Sequence, residues 1–352
     1  MRLYRSLLIF AAVLAFGVIS LGAYVRLSDA GLGCPDWPGC YGHLIGVPDA
    51  AHERAAALVD FPGKPVEAPK AWKEMVHRYF AGTLGLLIAL IAVLAWKYRR
   101  PLQQSPVLPG VLLGVVGVQA LLGMWTVTLL LKPVIVSAHL LGGMATLAML
   151  VWLYLAQYGQ DSRSAPYRST SIRAAPIRTA SIKLRGLAAL GLFALVIQIA
   201  LGGWVSSNYA ALACGNDFPT CLGTWQPEMD FAQAFHLRRE LGQAADGGLL
   251  PISALTAIHW AHRVGALIVA VILGLLSILL LRRPGWRTWG LLLSTVLLAQ
   301  IGLGIANVQL FLPLHLAVAH NAGAAILLTV TLALTFRLGQ ASGPKRGTHH
   351  EP

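Results

Sequence analysis

Four histidines, His77, His139, His262 and His320, stand inside long apolar stretches, where an ionisable side chain is costly and marks function by default. Each lies within about two turns of the same end of its stretch, which at about 1.5 Å rise per residue puts all four at one shallow depth. They fall into two sets: His139 and His320 are 181 residues apart, and His77 and His262 are 185 apart. Imidazoles facing each other from two helices of a bundle suit the axial ligation of a haem iron. A zinc or copper centre would want cysteine or carboxylate partners beside every histidine, and no such set accompanies them. A hydrogen-bonded interfacial histidine is the ordinary alternative for any one of them; four at duplicated positions argue against it.

The neighbours sharpen this chemistry. Arg78 and Arg263 each directly follow a ligand candidate. A guanidinium there suits bidentate binding of haem propionates, the alternative being an arginine snorkelling to the interface. Glu74 stands three residues before His77 and shares its helix face, whereas the equivalent position in the second set is His259. A carboxylate beside one site only predicts a division of labour. The first half then holds the reactive site, with Glu74 catalytic in proton transfer, and the second a permanent electron-transfer haem. The plainer reading of Glu74 is an acidic residue favoured at a helix start. Cys34/Cys40 and Cys214/Cys221 are close pairs in equivalent loops. Each is expected to form a disulfide that fixes a lid over a haem edge, with a thiol relay as the alternative. No Cys-x-x-Cys-His occurs, so covalent haem attachment is not supported. His43, His52, His236, His315, His349 and His350 read as solvent or loop histidines, and His259 as a residue supporting a ligand.

The elements that must carry these residues are membrane helices. The 352-residue chain is 56% hydrophobic and 12% charged, about half the charge of a soluble domain. Eight runs reach the roughly 20 residues needed to span a bilayer: about 7–26, 77–96, 107–131, 134–156, 185–206, 256–281, 287–311 and 314–336. The first continues into Gly22-Ala23-Tyr24-Val25-Arg26 without a small-residue cleavage site and is expected to be retained. Basic residues gather at Arg2/Arg5, Lys97/Arg99/Arg100, Arg163 to Arg185, Arg282/Arg283/Arg287 and the tail, while nearly every acidic residue falls in two long segments, about 27–74 and 207–255. That asymmetry predicts both termini in the cytoplasm and the cysteines on the far, disulfide-permissive side. It also accounts for the net charge of +13 as topology, so no nucleic-acid partner is expected.

The same landmarks reveal a duplication. Gly22-Ala23-Tyr24-Val25 before Cys34 corresponds to Gly202-Gly203-Trp204-Val205 before Cys214, and Glu74-Met75-Val76-His77-Arg78 to His259-Trp260-Ala261-His262-Arg263. The fold class expected is therefore all-α: eight transmembrane helices in two pseudo-symmetric four-helix bundles, a parallel tandem repeat. Residues 1–157 form the first half, 158–184 a cytoplasmic linker containing Pro166 and Pro176, 185–338 the second half, and 339–352 a cytoplasmic tail.

Over essentially its whole length the chain resembles the haem A synthase family, which serves aa3-type cytochrome oxidases. The stretches that carry the resemblance are Arg26-Leu27-Ser28-Asp29-Ala30-Gly31-Leu32-Gly33-Cys34-Pro35-Asp36-Trp37-Pro38 and the two His-Arg segments above. The resemblance implies haem b on His262 and His320, substrate haem o on His77 and His139, and a catalytic role for Glu74. Cys34/Cys40 match the family's paired loop cysteines, and Cys214/Cys221 a subgroup pattern. The implied reaction oxidises a haem methyl to a formyl group by successive hydroxylation, giving haem a in the inner membrane for cytochrome oxidase assembly. Molecular oxygen is the expected oxidant, the electron donor is unidentified, and a haem o synthase is a candidate partner. The rival readings are a di-haem b-type electron carrier linked to quinol and a haem transporter. If both His77 and His139 held the substrate iron throughout, no position on it would be open; one must let go, or oxidation proceeds without direct oxygen binding.

Overall fold

The computed structural model describes residues 2–164, 182–244 and 247–341. Eight helices are long and apolar enough to cross a membrane: α1 (Arg2–Leu27), α3 (Ala68–Lys97), α5 (Val107–Thr128), α6 (Pro133–Ser164), α7 (Ile182–Ser207), α9 (Ile252–Leu281), α10 (Arg287–Gln309) and α11 (Leu314–Ala341). Three short helices join them, α2 (Ala51–Asp60), α4 (Arg99–Leu102) and α8 (Phe231–Ala234), and no strand forms among the described residues.

Several helices outrun their apolar stretches, because helical hydrogen bonds are satisfied within the segment wherever it lies. The expectation of a span from about residue 77 misses the first turns of α3, which begins at Ala68 and thereby places Glu74, His77 and Arg78 on one rigid rod. Similarly, α6 continues to Ser164 and α7 starts at Ile182, so helix replaces both ends of the linker expected at 158–184. Its middle, with Pro166 and Pro176, lies outside the described residues, as does the tail from 342 onward.

Helices α1, α3, α5 and α6 pack around a closed ring, and α7, α9, α10 and α11 do the same; the two rings meet through α1–α11, α6–α7 and α6–α11. Leucines such as Leu86 and Leu298 face outward, 77% and 68% exposed, as lipid-facing positions require. In lipid, association rests on close packing rather than on water exclusion. One continuous core supplies that packing, from Leu8 and Ala15 on α1 through Ile88, Leu150, Leu273 and Leu334. Its members sit toward one end of every span. The histidines lie beyond it toward the other end, so the packed core forms a floor beneath them.

At that other end the halves are pinned together. Arg26 donates to the Ser206 carbonyl (3.0 Å) and lies over the Tyr209 ring, and the hydroxyls of Ser137 and Ser207 meet at 3.1 Å. Lys132 pairs with Glu240 at 2.6 Å.

Candidate functional site

The histidines are grouped as their spacing predicts. His77 on α3 and His139 on α6 are near enough for their charges to interact, and so are His262 on α9 and His320 on α11. All four are partly buried. Each ring leans on a glycine of a neighbouring helix: a Cβ on Gly22, Gly123, Gly202 or Gly304 would stand 2.9, 3.3, 3.1 or 3.0 Å from the ring of His77, His139, His262 or His320. Small residues are what let a flat ring lie against a helix backbone. In His77, His139 and His320 the buried Nδ1 has no hydrogen-bond partner, a costly state for a group with no other purpose. Orphaned imidazoles in glycine cradles fit the ligand set of a haem.

Over the first pair lies a lid. Cys34 and Cys40 are disulfide-bonded, with Cα atoms 4.8 Å apart. Within the lid, the Asp36 carboxylate accepts from the backbone N–H groups of Tyr41 (2.6 Å) and Gly42 (2.8 Å). The lid rests on the start of α3, where a Cβ on Gly33 would stand 2.6 Å from the Lys70 carbonyl carbon. Glu74, 4% exposed, accepts from the Cys34 N–H at 3.0 Å through Oε2 and pairs with Arg78 at 2.5 Å through Oε1. Arg78 in turn donates to the carbonyls of Asp36 (3.0 Å), Pro38 (3.3 Å) and Gly39. The catalytic candidate is thus buried, ion-paired and tied to the disulfide by its backbone. Burial raises the pKa of the Tyr41 phenol, with Glu67, Asp36 and Glu74 adding to the effect; it stays protonated and donates to the Pro65 carbonyl (3.0 Å).

The second lid repeats the plan with one exchange. Cys214 and Cys221 are disulfide-bonded, Asp217 accepts from the Gly223 N–H at 2.5 Å, and Arg263 donates to the carbonyls of Thr220 (2.7 Å) and Asp217 (2.8 Å). Where Glu74 meets Arg78, the buried His259 meets Arg263, Nε to Nε2 at 3.2 Å. Both arginines therefore brace lids, a task the sequence alone did not suggest. Of the histidines read as solvent or loop residues, His43 is exposed in a loop, His52 and His315 are exposed but lie on α2 and in the first turn of α11 rather than in loops, and His236 is partly buried; His349 and His350 lie outside the described residues.

Sequence reasoning counted three glutamines only as the few polar residues within the spans and gave them no role. Gln198 donates to the main-chain oxygen of His262 (2.9 Å) and lies 3.0 Å from its Nδ1, and Gln300 donates to the main-chain oxygen of His320 (3.0 Å). Gln119 faces Gly142, three residues beyond His139. The recurring Gln-x-x-x-Gly at 119–123, 198–202 and 300–304 was the signal.

Two consequences can be measured. Gly33→Ala sets a methyl group against backbone, and overpacking of this kind costs about 1–3 kcal/mol; a lowered melting temperature is expected, with displacement of the Cys34 N–H from Glu74. Each disulfide closes a short loop, worth about 2 kcal/mol in the chain-entropy account. If the cysteines are staples, Cys34→Ser/Cys40→Ser melts earlier yet keeps partial turnover; a thiol relay predicts loss of turnover to background.

Comparison with known proteins shows the family. The family model COX15-CtaA, described as a cytochrome oxidase assembly protein, matches residues 5–332. A haem A synthase from Shewanella oneidensis is 43% identical, covering 92% of this chain and 93% of its own length. Haem A synthases from Caulobacter vibrioides and Mesorhizobium japonicum are 27% and 29% identical, covering 94% and 93% of this chain and 94% and 88% of their own lengths. With four histidines in two lidded bundles and a family match over nearly its whole length, this chain belongs to the COX15-CtaA family of cytochrome oxidase assembly proteins.

Proposed function

We infer that this chain is a haem A synthase, an integral membrane oxidoreductase that converts haem o to haem a. The conversion of a ring methyl to a formyl group removes four electrons from that carbon and adds one oxygen atom. Successive hydroxylation accounts for this: two hydroxyl groups on one carbon give a geminal diol, which loses water.

In this reading His77 and His139 bind and orient haem o, and His262 and His320 hold haem b. When bound, haem b supplies a one-electron relay. The observation that carries the assignment is Glu74, a carboxylate buried under the first lid where the second half has His259. Glu74 holds or moves a proton at Oε1 and Oε2, and Arg78 fixes the carboxylate while bracing the lid. The lids keep water from the haem edges. A guanidinium carries five N–H donors, and the lid contacts leave part of the Arg78 and Arg263 forks for propionates. Equivalent contacts in the two helix rings support a pseudo-twofold axis along the membrane normal. The basic segments support cytoplasmic termini, with lids and disulfides on the periplasmic side of the inner membrane. Molecular oxygen and a separate electron donor complete the reaction, and a haem o synthase is the expected source of substrate.

A di-haem electron carrier would share the histidines and need Glu74 only as a brace for the lid, and a transporter would want a polar route through a region that is instead filled by core. The test is expression beside a haem o synthase in a host that makes no haem a. Haem a or its hydroxymethyl precursor in acid–acetone extracts supports the reading; haem b alone, with haem o available, refutes it.

A further inference from the structure

The four histidine supports are not equal. At three of them a glutamine amide fills a notch made by the glycine one turn beyond the histidine: a Cβ on Gly142, Gly265 or Gly323 would stand 1.7, 2.2 or 2.2 Å from the side-chain amide of Gln119, Gln198 or Gln300. Two of these amides donate to the main-chain oxygen of the histidine itself, and Gln198 also reaches the His262 ring. At the fourth, both members of the device are replaced. The α1 position equivalent to Gln198, four residues before Gly22, is Val18, and the α3 position equivalent to Gly265, three after His77, is Phe80. Neither side chain can donate or accept a hydrogen bond. Val18 packs against the apolar core; the ring Nδ1 is unpartnered in His77, His139 and His320 alike, so what sets His77 apart is the missing amide and its glycine notch.

We propose that His77 is the releasable histidine of the substrate pair and that Gln119, Gln198 and Gln300 are positioning residues that keep the other three on iron. The inference rests on the functional reading above and deepens it. A metal-bound histidine is ordinarily oriented by a partner outside the metal's own ligand set, and loss of that partner typically costs about 10–100-fold in metal affinity. His77 has only the glycine cradle. Were His77 to release iron, the imidazole would keep its lone pair and one iron position would open. The second-half pair, braced by glutamines on both sides, stays closed, as an electron relay requires. The one departure from the fourfold pattern thus falls in the half that also carries Glu74, and it answers how an iron held by two histidines gains an open position.

Carbon monoxide binding to the dithionite-reduced, purified protein reads this without turnover. The wild type is expected to bind it at the first-half haem only. Val18→Gln/Phe80→Gly, which installs the missing amide and its notch, is expected to weaken that binding by tenfold or more. Gln198→Val is expected to create carbon monoxide binding at haem b, seen as a new Soret shift. Should the double variant not assemble, Gln198→Val decides alone: no binding at haem b overturns the proposal. Coincident titrations of wild type and Val18→Gln/Phe80→Gly overturn it too. Acid–acetone extraction of the same samples separates two failures. Haem o or haem a present with coincident titrations overturns this inference alone; their absence overturns the functional reading and the inference with it.

Discussion

Glu74→Gln is expected to lower haem a formation by at least about 100-fold, the lower end of what a positioned proton-transfer group contributes, while both haem sites remain filled. Glutamine keeps the volume, but its single amide oxygen can replace only one of the two carboxylate oxygens that accept from the Cys34 N–H and from Arg78, so a modest fall in melting temperature from one lost lid contact accompanies the loss of the ionisable group. Haem o or its hydroxymethyl intermediate should accumulate in extracts. Glu74→Ala goes further. It strips Arg78 of its buried partner, and breaking such a pair typically costs about 3–5 kcal/mol, so a loosened lid and a lower melting temperature should accompany the lost activity. Turnover within tenfold of wild type for Glu74→Gln would reduce Glu74 to a structural brace.

The second large effect is expected at the haem b site. His262→Ala and His320→Ala each remove one of the two ligands proposed for the haem b iron, and His259 is no ready substitute because its Nε2 is engaged with Arg263. Loss of a mere orienting partner costs about 10–100-fold in metal affinity, so loss of the ligand itself should empty the site at ordinary haem concentrations. Haem b content measured as the pyridine haemochrome should fall at least tenfold, and turnover with it, because electrons no longer reach the first half. The first half should still take up haem o, since Gly22 and Gly123 cradle His77 and His139 independently of α9 and α11.

Much of this was legible in the sequence because membrane folds are written in long-range composition. Eight apolar runs and four histidines at one depth gave the helices and the histidine pairs that the fold brings together, and a nearly constant offset between landmarks pointed to a duplication. Spacing also gave the cysteine pairs, each of which is closed as expected. What could not be read was contact between neighbouring helices. Gln119, Gln198 and Gln300 look like isolated polar residues along the chain; only packing reveals that their amides sit beside histidine-bearing helices. The task of Arg78 was hidden for a related reason, since its carbonyl partners lie 39–42 residues away in a loop whose path depends on the disulfide. Helix ends were misplaced where hydropathy falls before helical hydrogen bonding does, at Ala68 and Ser164.

The division of labour between the halves is the central claim, and the haem inventory of two variants tests it most directly. His77→Ala/His139→Ala and His262→Ala/His320→Ala would be purified beside the wild type after co-expression with a haem o synthase, and their acid–acetone extracts separated and weighed. Haem b without haem o or haem a is expected in the first variant, haem o without haem b in the second, and haem b together with haem o or haem a in the wild type. Haem b lost from the first variant and retained in the second would contradict it.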